Sequence, residues 1–287
     1  MKIGNYKVTS LVTSRFSLDG GSMFGIIPKS MWGKEVVPDK KNRIPLVTRS
    51  LLIRGNGKTI LVDTGNGDKW DSKMKAILDT DPSVVNIQAS LGELSVKPDE
   101  ITDVICSHLH FDHAGGNTSL NGGKVVPTFP NAKYWLQKSN WDWANSPTEK
   151  DKGSYRSENW EVLAENEMFT FLDGEEEFIA GIQIRITHGH TPGQMHPLLA
   201  DGKTTLFFGN DLFPTQLHFR IPCIMAFDNK PLKTLEEKKS VLNQAVDENW
   251  IIVLPHDGKT EAVRLKRDGD KYAIEQIELD GGEQWPK

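Results

Sequence analysis

Residues 107–113, of sequence SHLHFDH, concentrate side chains that can bind metal ions or move protons. Three of the chain's eight histidines and one aspartate fall here, directly after an apolar run that predicts a strand. Alternate residues of an extended segment point the same way, so His108 and His110 can share one metal ion. The turn that follows can direct Asp112 and His113 toward a second ion.

A polar surface loop with histidines gathered by chance is the alternative interpretation of this segment. Such close clustering of a scarce residue makes that interpretation the weaker one. Gly115 and Gly116 follow at once, and we expect them to let the backbone turn tightly and begin a helix. The segment is therefore a candidate for half of two neighbouring metal sites.

Three further strand-like runs end in residues that can bind metals. IQIRIT leads to His190, TTLFFG leads to Asp211, and WIIVLP leads to His256. Functional groups on short loops at strand ends suit a catalytic site, because the strands fix their positions. Each motif alone is weak, since an Asn-Asp pair is more often a turn, but their order after the histidine cluster strengthens them.

The elements that must position these residues are interleaved strands and helices. Hairpins are predicted around Gly55-Asn56-Gly57, Asp201-Gly202 and Asp268-Gly269. Residues 232–248 have helical spacing, and Thr234 and Glu237 form a capping-box pattern near their start. No internal repeat, low-complexity tract or linker divides the chain, so we expect one α+β domain over residues 1–287.

Residues 130–160 differ from their surroundings in carrying many aromatic side chains amid polar residues. These are Tyr134, Trp135, Trp141, Trp143, Tyr155 and Trp160. We expect an inserted helical cap whose apolar roof suits an acyl chain or aryl ester better than a charged polymer. Alternatively, the tryptophans only anchor the insertion to the core.

Composition argues against several other classes of protein. No stretch of the 287 residues approaches the roughly 20 apolar residues that span a membrane, and the first residues read as a strand rather than a secretion signal. We therefore expect a cytoplasmic location. The net charge of −5, without a long basic run, argues against nucleic-acid binding. The two cysteines, Cys106 and Cys223, indicate neither a disulfide framework nor a thiolate metal site.

The ordered motifs His-x-His-x-Asp-His, Gly-His-Thr-Pro-Gly, Asn-Asp and Pro-His resemble the signature of the metallo-β-lactamase superfamily. Asp63-Thr64-Gly65, at the end of another strand-like run, is similar to the early Asp-Thr-Gly motif of that superfamily. The resemblance extends from about residue 45 to residue 260. It implies a four-layer αββα sandwich.

The resemblance also implies which residues bind two divalent metal ions. His108, His110 and His190 would bind the first ion, Asp112, His113 and His256 the second, and Asp211 would bridge both. Nitrogen and oxygen ligands without thiolate suit zinc, although manganese, iron or cobalt accept the same donors. Diiron relatives have the motif His-x-Glu-x-Asp at this place. This chain has His110 at the glutamate position, which favours zinc.

The remaining histidines and two other polar residues lie near these motifs. Asp63 would accept the other ring N–H of a ligand imidazole, or would only form a turn. Gln194 stands where many relatives carry a further histidine, so no role is carried over to it. His188 and His196 are left outside the metal shell as structural residues. His218, in an apolar run that we expect to line the pocket, is a candidate for a hydrogen bond to substrate.

The N-terminal residues 14–25, with Ile27-Pro28 and Trp32, resemble a loop of the quorum-quenching lactonase and methyl-parathion-hydrolase-like branch of the superfamily. Met23, Phe24 and Trp32 are accordingly the candidate pocket residues. The superfamily alone does not fix the substrate, because its members hydrolyse compounds as different as β-lactams, lactones, phosphotriesters and RNA. The substrate prediction therefore rests on this branch.

The expected reaction opens the ester bond of a lactone, with N-acyl-homoserine lactone as the expected substrate, through a hydroxide that bridges two metal ions. Asp112 would orient this nucleophile and later protonate the leaving oxygen. A phosphotriesterase or another ester hydrolase is the alternative. A non-catalytic metal-binding protein is disfavoured, because a structural zinc site is normally closed. The expected partner is a small lactone or ester, without nucleic acid or membrane, and a homodimer is left open.

Overall fold

The computed structural model describes residues 1–269 and 271–279. The strands are β1 Lys2–Ile3, β2 Tyr6–Asp19, β3 Arg43–Gly55, β4 Lys58–Val62, β5 Asp103–Ile105, β6 Thr118–Asn121, β7 Lys124–Pro127, β8 Lys133–Gln137, β9 Phe169–Leu172, β10 Glu177–Ile179, β11 Ile182–Thr187, β12 Gln194–Ala200, β13 Thr205–Phe208, β14 Ile251–Val253, β15 Ala262–Asp268 and β16 Lys271–Ile277. The α-helices are α1 Gly20–Phe24, α2 Lys29–Trp32, α3 Ser72–Leu78, α4 Ile87–Glu93, α5 Phe111–Ala114, α6 Lys138–Ala144, α7 Glu161–Glu165 and α8 Pro231–Asp247.

Two mixed sheets contain nearly all of these strands. The first sheet has the order β1-β2-β3-β4-β5-β8-β9, and the second has the order β10-β11-β12-β13-β14-β15-β16. The neighbours from β4 to β9 in the first sheet are parallel, as are β13 and β14 in the second. Strands β6 and β7 form a separate hairpin. Parallel neighbours end at the same edge of a sheet, which is where loops can meet to form a site.

The two sheets pack face to face, and helices cover their outer faces. Between the sheets, Ile60 and Val62 share one buried cluster with Ile184 and Phe208. On the outer face of the first sheet, side chains of α4 and α7 join the core, and α8 does the same on the second sheet. Alternation along each strand sends successive side chains to opposite faces, which allows both layers of core. This αββα arrangement confirms the predicted fold class.

The three predicted hairpins are present. Gly55 pairs with Lys58 across the first turn, and Ala200 pairs with Thr205 across the second. The third joins β15 to β16, although Asp270 in its turn lies outside the described residues. Asn56 and Gly57 both have positive φ angles, 50° and 73°, as expected for a turn that matches the twist of its strands.

Helix α8 confirms the predicted helix, but the predicted capping box is wrong. The helix begins at Pro231, whose fixed φ and missing N–H suit the first helical position, so Thr234 lies inside the helix. Glu237 instead accepts hydrogen bonds from the backbone N–H groups of His188 (2.9 Å) and Gly189 (3.0 Å). The carboxylate therefore holds the loop that leads to His190.

The predicted helical cap over 130–160 is wrong at its start. Residues Lys133–Gln137 form β8, which lies between β5 and β9 inside the first sheet. Tyr134 and Leu136 point into the core beneath the helices, whereas Trp135 packs between the two sheets. This period of two is typical of a strand, and aromatic content alone did not distinguish it from a cap. Helix α6 follows directly.

Among the described residues, no helix combines the length and the apolar character that crossing a membrane requires. Cys106 and Cys223 are buried free thiols.

Candidate metal centre

The candidate site lies where strands of both sheets end. Strands β4 and β5 are parallel, so the residues that follow them come together. Ser107 donates its backbone N–H to Asp63 Oδ1 (2.8 Å) and its hydroxyl to Asp63 Oδ2 (2.7 Å). In the second sheet, β13 and β14 are also parallel, and Asp211 and His256 follow them. The common strand edge therefore gathers residues that are far apart in the sequence.

Helix α5 separates the histidine cluster into two pairs. His110 is the extended residue before the helix, with φ −65° and ψ 153°, whereas Asp112 and His113 lie in its only turn. The chain thus changes direction between His110 and Asp112. This is the change from strand end to turn that the sequence predicts, and it sends the two pairs toward different positions.

Gly115 and Gly116 have a different role from the predicted tight turn. Gly115 has an ordinary helical φ of −59°. A Cβ on Gly115 would lie 2.2 Å from the carbonyl oxygen of Asn66, and one on Gly116 would lie 2.4 Å from that of Thr64. Glycine is therefore required because the Asp63-Thr64-Gly65 loop packs directly against this backbone, and not because of a left-handed conformation.

The first group of ligands contains His108, His110, His190 and Asp211, whose potential metal-binding atoms all lie within 4.8 Å of one another. His190 Nε2 lies 3.0 Å from His110 Nδ1 and 3.1 Å from Asp211 Oδ2. His108 Nε2 lies 3.8 Å from the same Asp211 oxygen. All four residues are buried. The structure therefore brings together the predicted ligands of the first ion.

The second group contains Asp112, His113 and His256. The Nε2 atoms of the two histidines lie 3.2 Å apart. Asp112 Oδ2 lies 3.6 Å from His256 Nε2 and 3.9 Å from His113 Nε2. Asp211 Oδ1 faces this group, at 3.0 Å from His256 Nε2 and 3.3 Å from His113 Nε2. The two oxygens of Asp211 thus face different groups, which is the geometry of a bridging carboxylate.

Hydrogen bonds on the far side of three rings determine where their lone pairs point. His190 Nδ1 donates to Asp228 Oδ1 (2.8 Å), and His113 Nδ1 donates to Asp63 Oδ2 (2.8 Å). His256 Nδ1 donates to the carbonyl oxygen of Val47 (2.9 Å). In the neutral form of each ring, the Nε2 lone pair then faces the centre of the site. Asp63 thereby has the orienting position expected of it.

When the rings are neutral, these lone pairs converge without a donor between them, so the residues fit a bound cation. The His113 and His256 Nε2 atoms face each other at 3.2 Å, which is repulsive unless a proton or a metal ion lies between them. Among the described residues, His108 Nε2 has no hydrogen-bond partner although it is fully buried. Buried polar nitrogen is normally paired, and ligation by a metal ion would satisfy it.

The charged groups of the site shift one another's pKa values. Burial alone would raise the pKa of Asp211, but His113, His190 and His256 outweigh it and hold that pKa well below its usual value. Burial opposes protonation of His190 too, yet Asp211 and Asp228 raise its pKa to about 9. Burial, with the neighbouring His113, lowers the pKa of His108 well below its ordinary range. Asp211 therefore carries a negative charge that a divalent cation can neutralise.

The remaining histidines are held by the protein. His196 Nε2 shares a hydrogen bond with Thr187 (2.8 Å), and His196 Nδ1 donates to the Phe208 carbonyl (3.1 Å). His188 Nδ1 accepts from the Gly193 N–H at 3.2 Å. The structure thus places these two histidines outside the ligand groups.

His218 is buried and the protein bonds both of its ring nitrogens, so its predicted hydrogen bond to substrate is wrong. His218 Nε2 donates to the Met23 carbonyl (2.9 Å), and its Nδ1 pairs with the Thr215 hydroxyl (2.9 Å). The ring is buried and stacks on Phe24 with the centroids 5.6 Å apart. Both ring nitrogens are therefore engaged by the protein.

A cavity opens above the two ligand groups. Its apolar wall contains Leu18, Met23, Phe111, Met225 and Phe227, and Ser154 also contributes. Met225 and Phe227 belong to the apolar run expected to line the pocket. Leu18 and Met23 belong to the N-terminal segment 14–25, and Phe111 lies within the histidine cluster, whereas no motif distinguishes Ser154.

The three candidate pocket residues of the N-terminal segment lie in three different places. Met23 lines the cavity over the metals, and Phe24 lines a neighbouring cleft beside His256. Trp32 lines neither, so its prediction is wrong: it is buried behind Phe24 with the ring centroids 5.2 Å apart. A Cβ at Gly20 would lie 2.4 Å from the Trp32 ring, which shows how tightly the indole anchors this segment.

Two residues that position ligands were missed. Asp228 orients His190, and Tyr155 packs its ring against His110, with the centroids 4.7 Å apart. The Tyr155 hydroxyl also shares a hydrogen bond of 2.7 Å with the Thr191 hydroxyl. Asp228 lies just before α8 and reads as an ordinary residue of a helix start, so the sequence carries no signal for this role.

A family model described as the metallo-beta-lactamase superfamily matches residues 43–256. The matched range includes both ligand groups and most of the two sheets. The chain therefore belongs to the metallo-β-lactamase superfamily.

Curated relatives and solved structures indicate which members of the superfamily this chain is similar to. An N-acyl homoserine lactonase of a Bacillus species is 29% identical over 157 residues, which cover 50% of this chain and 55% of that protein. The chain thus spans little more than half the length of this curated relative. A probable metal-dependent hydrolase from Staphylococcus aureus is 26% identical with a TM-score of 0.87, covering 97% of this chain and 99% of that one. A quorum-quenching N-acyl homoserine lactone lactonase is 25% identical with a TM-score of 0.69, covering 90% and 94%.

Proposed function

We propose that this chain is a lactonase that uses two zinc ions to open the ester bond of N-acyl-homoserine lactone. One observation carries the proposal: Asp211 faces two separate ligand groups with its two oxygens, at the floor of an apolar cavity. Similarity to proteins named N-acyl homoserine lactonases supports the substrate. We also propose that residues 1–287 form a single domain, while the cytoplasmic location and the homodimer stay predictions.

The donor set supports zinc as the metal. Five imidazoles and two carboxylates converge, without a thiolate, in the two groups. Zinc prefers such nitrogen-rich sites, whereas magnesium and calcium prefer oxygen ligands alone. When bound, two ions of this kind would lower the pKa of a water molecule and polarise the substrate carbonyl.

Asp112 is the residue that we assign to proton movement. It lines the cavity, and its Oδ2 atom is farther from its partner imidazoles than those imidazoles are from each other. Its carboxylate would take the proton from the attacking water and give it to the ring oxygen that leaves. The carbonyl carbon gains a C–O bond from water and loses its bond to the ring oxygen, so the product is N-acyl-homoserine.

The chemistry of the cavity supports an uncharged substrate. The described residues that line it include no lysine or arginine, and its wall is mainly apolar. An anionic substrate such as a phosphodiester would lack a cationic partner there beyond the metal ions. An acyl chain can bury its methylene groups against Leu18, Met225 and Phe227, at about 0.8 kcal/mol for each group.

The lining of the cavity also supports a second candidate function, that of a phosphotriesterase. A phosphotriester is also uncharged and fits a cavity without lysine or arginine. Attack on phosphorus would use the same ligand groups and the same aspartate. The two functions therefore differ in the substrate that the cavity accommodates, not in the site.

Mass spectrometry of the product tests the proposed reaction. Zinc-loaded protein should convert N-acyl-homoserine lactone into a product heavier by one water, which returns to the lactone on acidification. Metal-free protein is the matched control and should leave the lactone intact. Release of free fatty acid would show amide cleavage and contradict the lactonase mechanism. Rapid turnover of a paraoxon-type triester without lactone turnover would favour the phosphotriesterase, and no turnover of any ester at full metal occupancy would favour a non-catalytic protein.

A further inference from the structure

His256 differs from the other histidine ligands in being held mainly by backbone groups. It lies in the loop between β14 and β15, and its N–H donates to the Pro214 carbonyl at 3.0 Å. Its Nδ1 atom donates to the carbonyl oxygen of Val47 on β3. The position of the ring therefore depends on how the loop is fixed against β3.

Arg49 fixes that loop on both sides of His256. This residue of β3 is only 4% exposed. Its Nη1 atom donates to the carbonyl oxygen of Leu254, its Nη2 atom donates to that of Asp257 (3.0 Å), and its backbone N–H donates to that of Pro255 (2.8 Å). One side chain thus spans the four-residue segment that contains the ligand.

Burial of a guanidinium removes it from water, which is unfavourable, and nearby carboxylates offset this effect. Burial lowers the pKa of Arg49, while the charges of Glu261 and Asp257 oppose that effect. The Asp257 carboxylate also accepts from the backbone N–H groups of Lys259 (2.9 Å) and Thr260 (2.9 Å), which fixes the other end of the loop. An apolar side chain of similar size could fill the space, but it could not bond two carbonyls at once.

We propose that Arg49 is a positioning residue for His256 and that it sets the affinity of the second metal ion relative to the first. The proposal rests on the two-metal function proposed above. None of the hydrogen bonds of the described Arg49 side chain reaches the first ligand group, whose histidines are held by β5, α8 and Asp228. Loss of the guanidinium should therefore loosen one group and leave the other in place.

Equilibrium dialysis of metal-free protein against buffered Zn²⁺, followed by elemental analysis, tests the proposal. Arg49→Met removes the donors and keeps much of the volume, whereas Arg49→Lys keeps the charge but loses the planar pair of nitrogens that reaches the two carbonyls. Arg54→Met, on the same strand and away from the loop, is the control. Both Arg49 variants should bind the second equivalent of Zn²⁺ about 10-fold or more weakly, with the first changed by less than about 2-fold, while Arg54→Met binds both as the unchanged chain does.

The outcomes separate this proposal from the proposed function. If the unchanged chain binds two Zn²⁺ ions and the Arg49 variants bind both equally well, Arg49 has no positioning role, whatever happens to the denaturation midpoint. Equal weakening of both ions would show a general structural role and would also overturn the proposal, as would failure of both Arg49 variants to fold. If the unchanged chain itself binds a single ion, the two-metal function fails first.

Discussion

The two ligand groups are built differently, although one carboxylate joins them. His108 and His110 follow the end of β5 by three and five residues, and His190 is oriented by the side chain of Asp228. The second group draws Asp112 and His113 from a single helical turn and His256 from a loop held by backbone contacts. Ligands of both groups follow strand ends, but among these described ligands only His256 has a ring nitrogen bonded to a backbone carbonyl, in a loop that depends on Arg49. The second group is therefore the one that mutation should weaken first.

Asp112→Asn should produce the largest effect, because it changes the most exposed ligand, at 8% exposure, and removes its proton-carrying oxygen. Turnover of the lactone should fall by about 10²- to 10⁴-fold. Steady-state kinetics at a measured zinc content checks this, since loss of the ion alone imitates loss of the proton carrier. Asp142→Asn, an exposed aspartate paired with Lys138, is the matched control and should keep normal turnover. Near-normal turnover of Asp112→Asn would remove this residue from the mechanism.

Asp63→Asn and Asp228→Asn sharpen the comparison between the groups. Each replaces a carboxylate that accepts the Nδ1 proton of one ligand, His113 or His190. We expect Asp63→Asn to weaken the second Zn²⁺ ion and Asp228→Asn the first, each by about 10- to 100-fold.

Zn²⁺ titration of the two variants, side by side, measures this selectivity. If each variant lost both ions to the same extent, the two groups would not be separable. The carboxylates would then stabilise the site as one unit.

His218 tests the distinction between histidines that can bind metal and histidines that support the fold. Burial, and next Lys238, lower its pKa to about 3. The unfolded chain takes up a proton near pH 6.5 and the folded chain does not, so His218 favours folding above pH 6.5 and this contribution is lost as the pH falls toward 3. Between pH 6.5 and 4.5 the loss should reach about 2 kcal/mol.

Denaturant unfolding of metal-free protein at several pH values measures that loss. His218→Asn should have a shallower dependence on pH than the unchanged chain by about this amount, whatever its stability at pH 7. Parallel curves for the two proteins would show that His218 is protonated in the folded state.

The sequence predicted the ligands better than it predicted what holds them. The His-x-His-x-Asp-His run and the later strand ends are local patterns, and their resemblance to the metallo-β-lactamase superfamily implied the αββα fold and the seven candidate ligands that the structure brings together. Asp228 is 38 residues from His190, and Arg49 is 205 residues from Leu254, so their contacts exist only after the sheets have packed. No periodic pattern in the sequence indicates contacts between residues so far apart in the chain.

Aromatic residues were the least informative part of the sequence. Tyr134 and Trp32 were expected in a cap and in a pocket, and both are buried in packing instead. A large apolar side chain suits a core strand, an anchor or a pocket equally well, and tertiary contacts decide among these. A polar side chain needs particular partners when it is buried, so fewer positions in a fold suit it. The candidate ligands were therefore easier to predict.

Anomalous diffraction from crystals of the zinc-loaded protein tests the two-metal centre most directly. We expect two zinc peaks about 3.5–4 Å apart. One should lie among His108, His110 and His190, and the other among Asp112, His113 and His256, with one oxygen of Asp211 toward each. A single peak at full zinc loading, or a second peak away from Asp112, His113 and His256, would contradict the account.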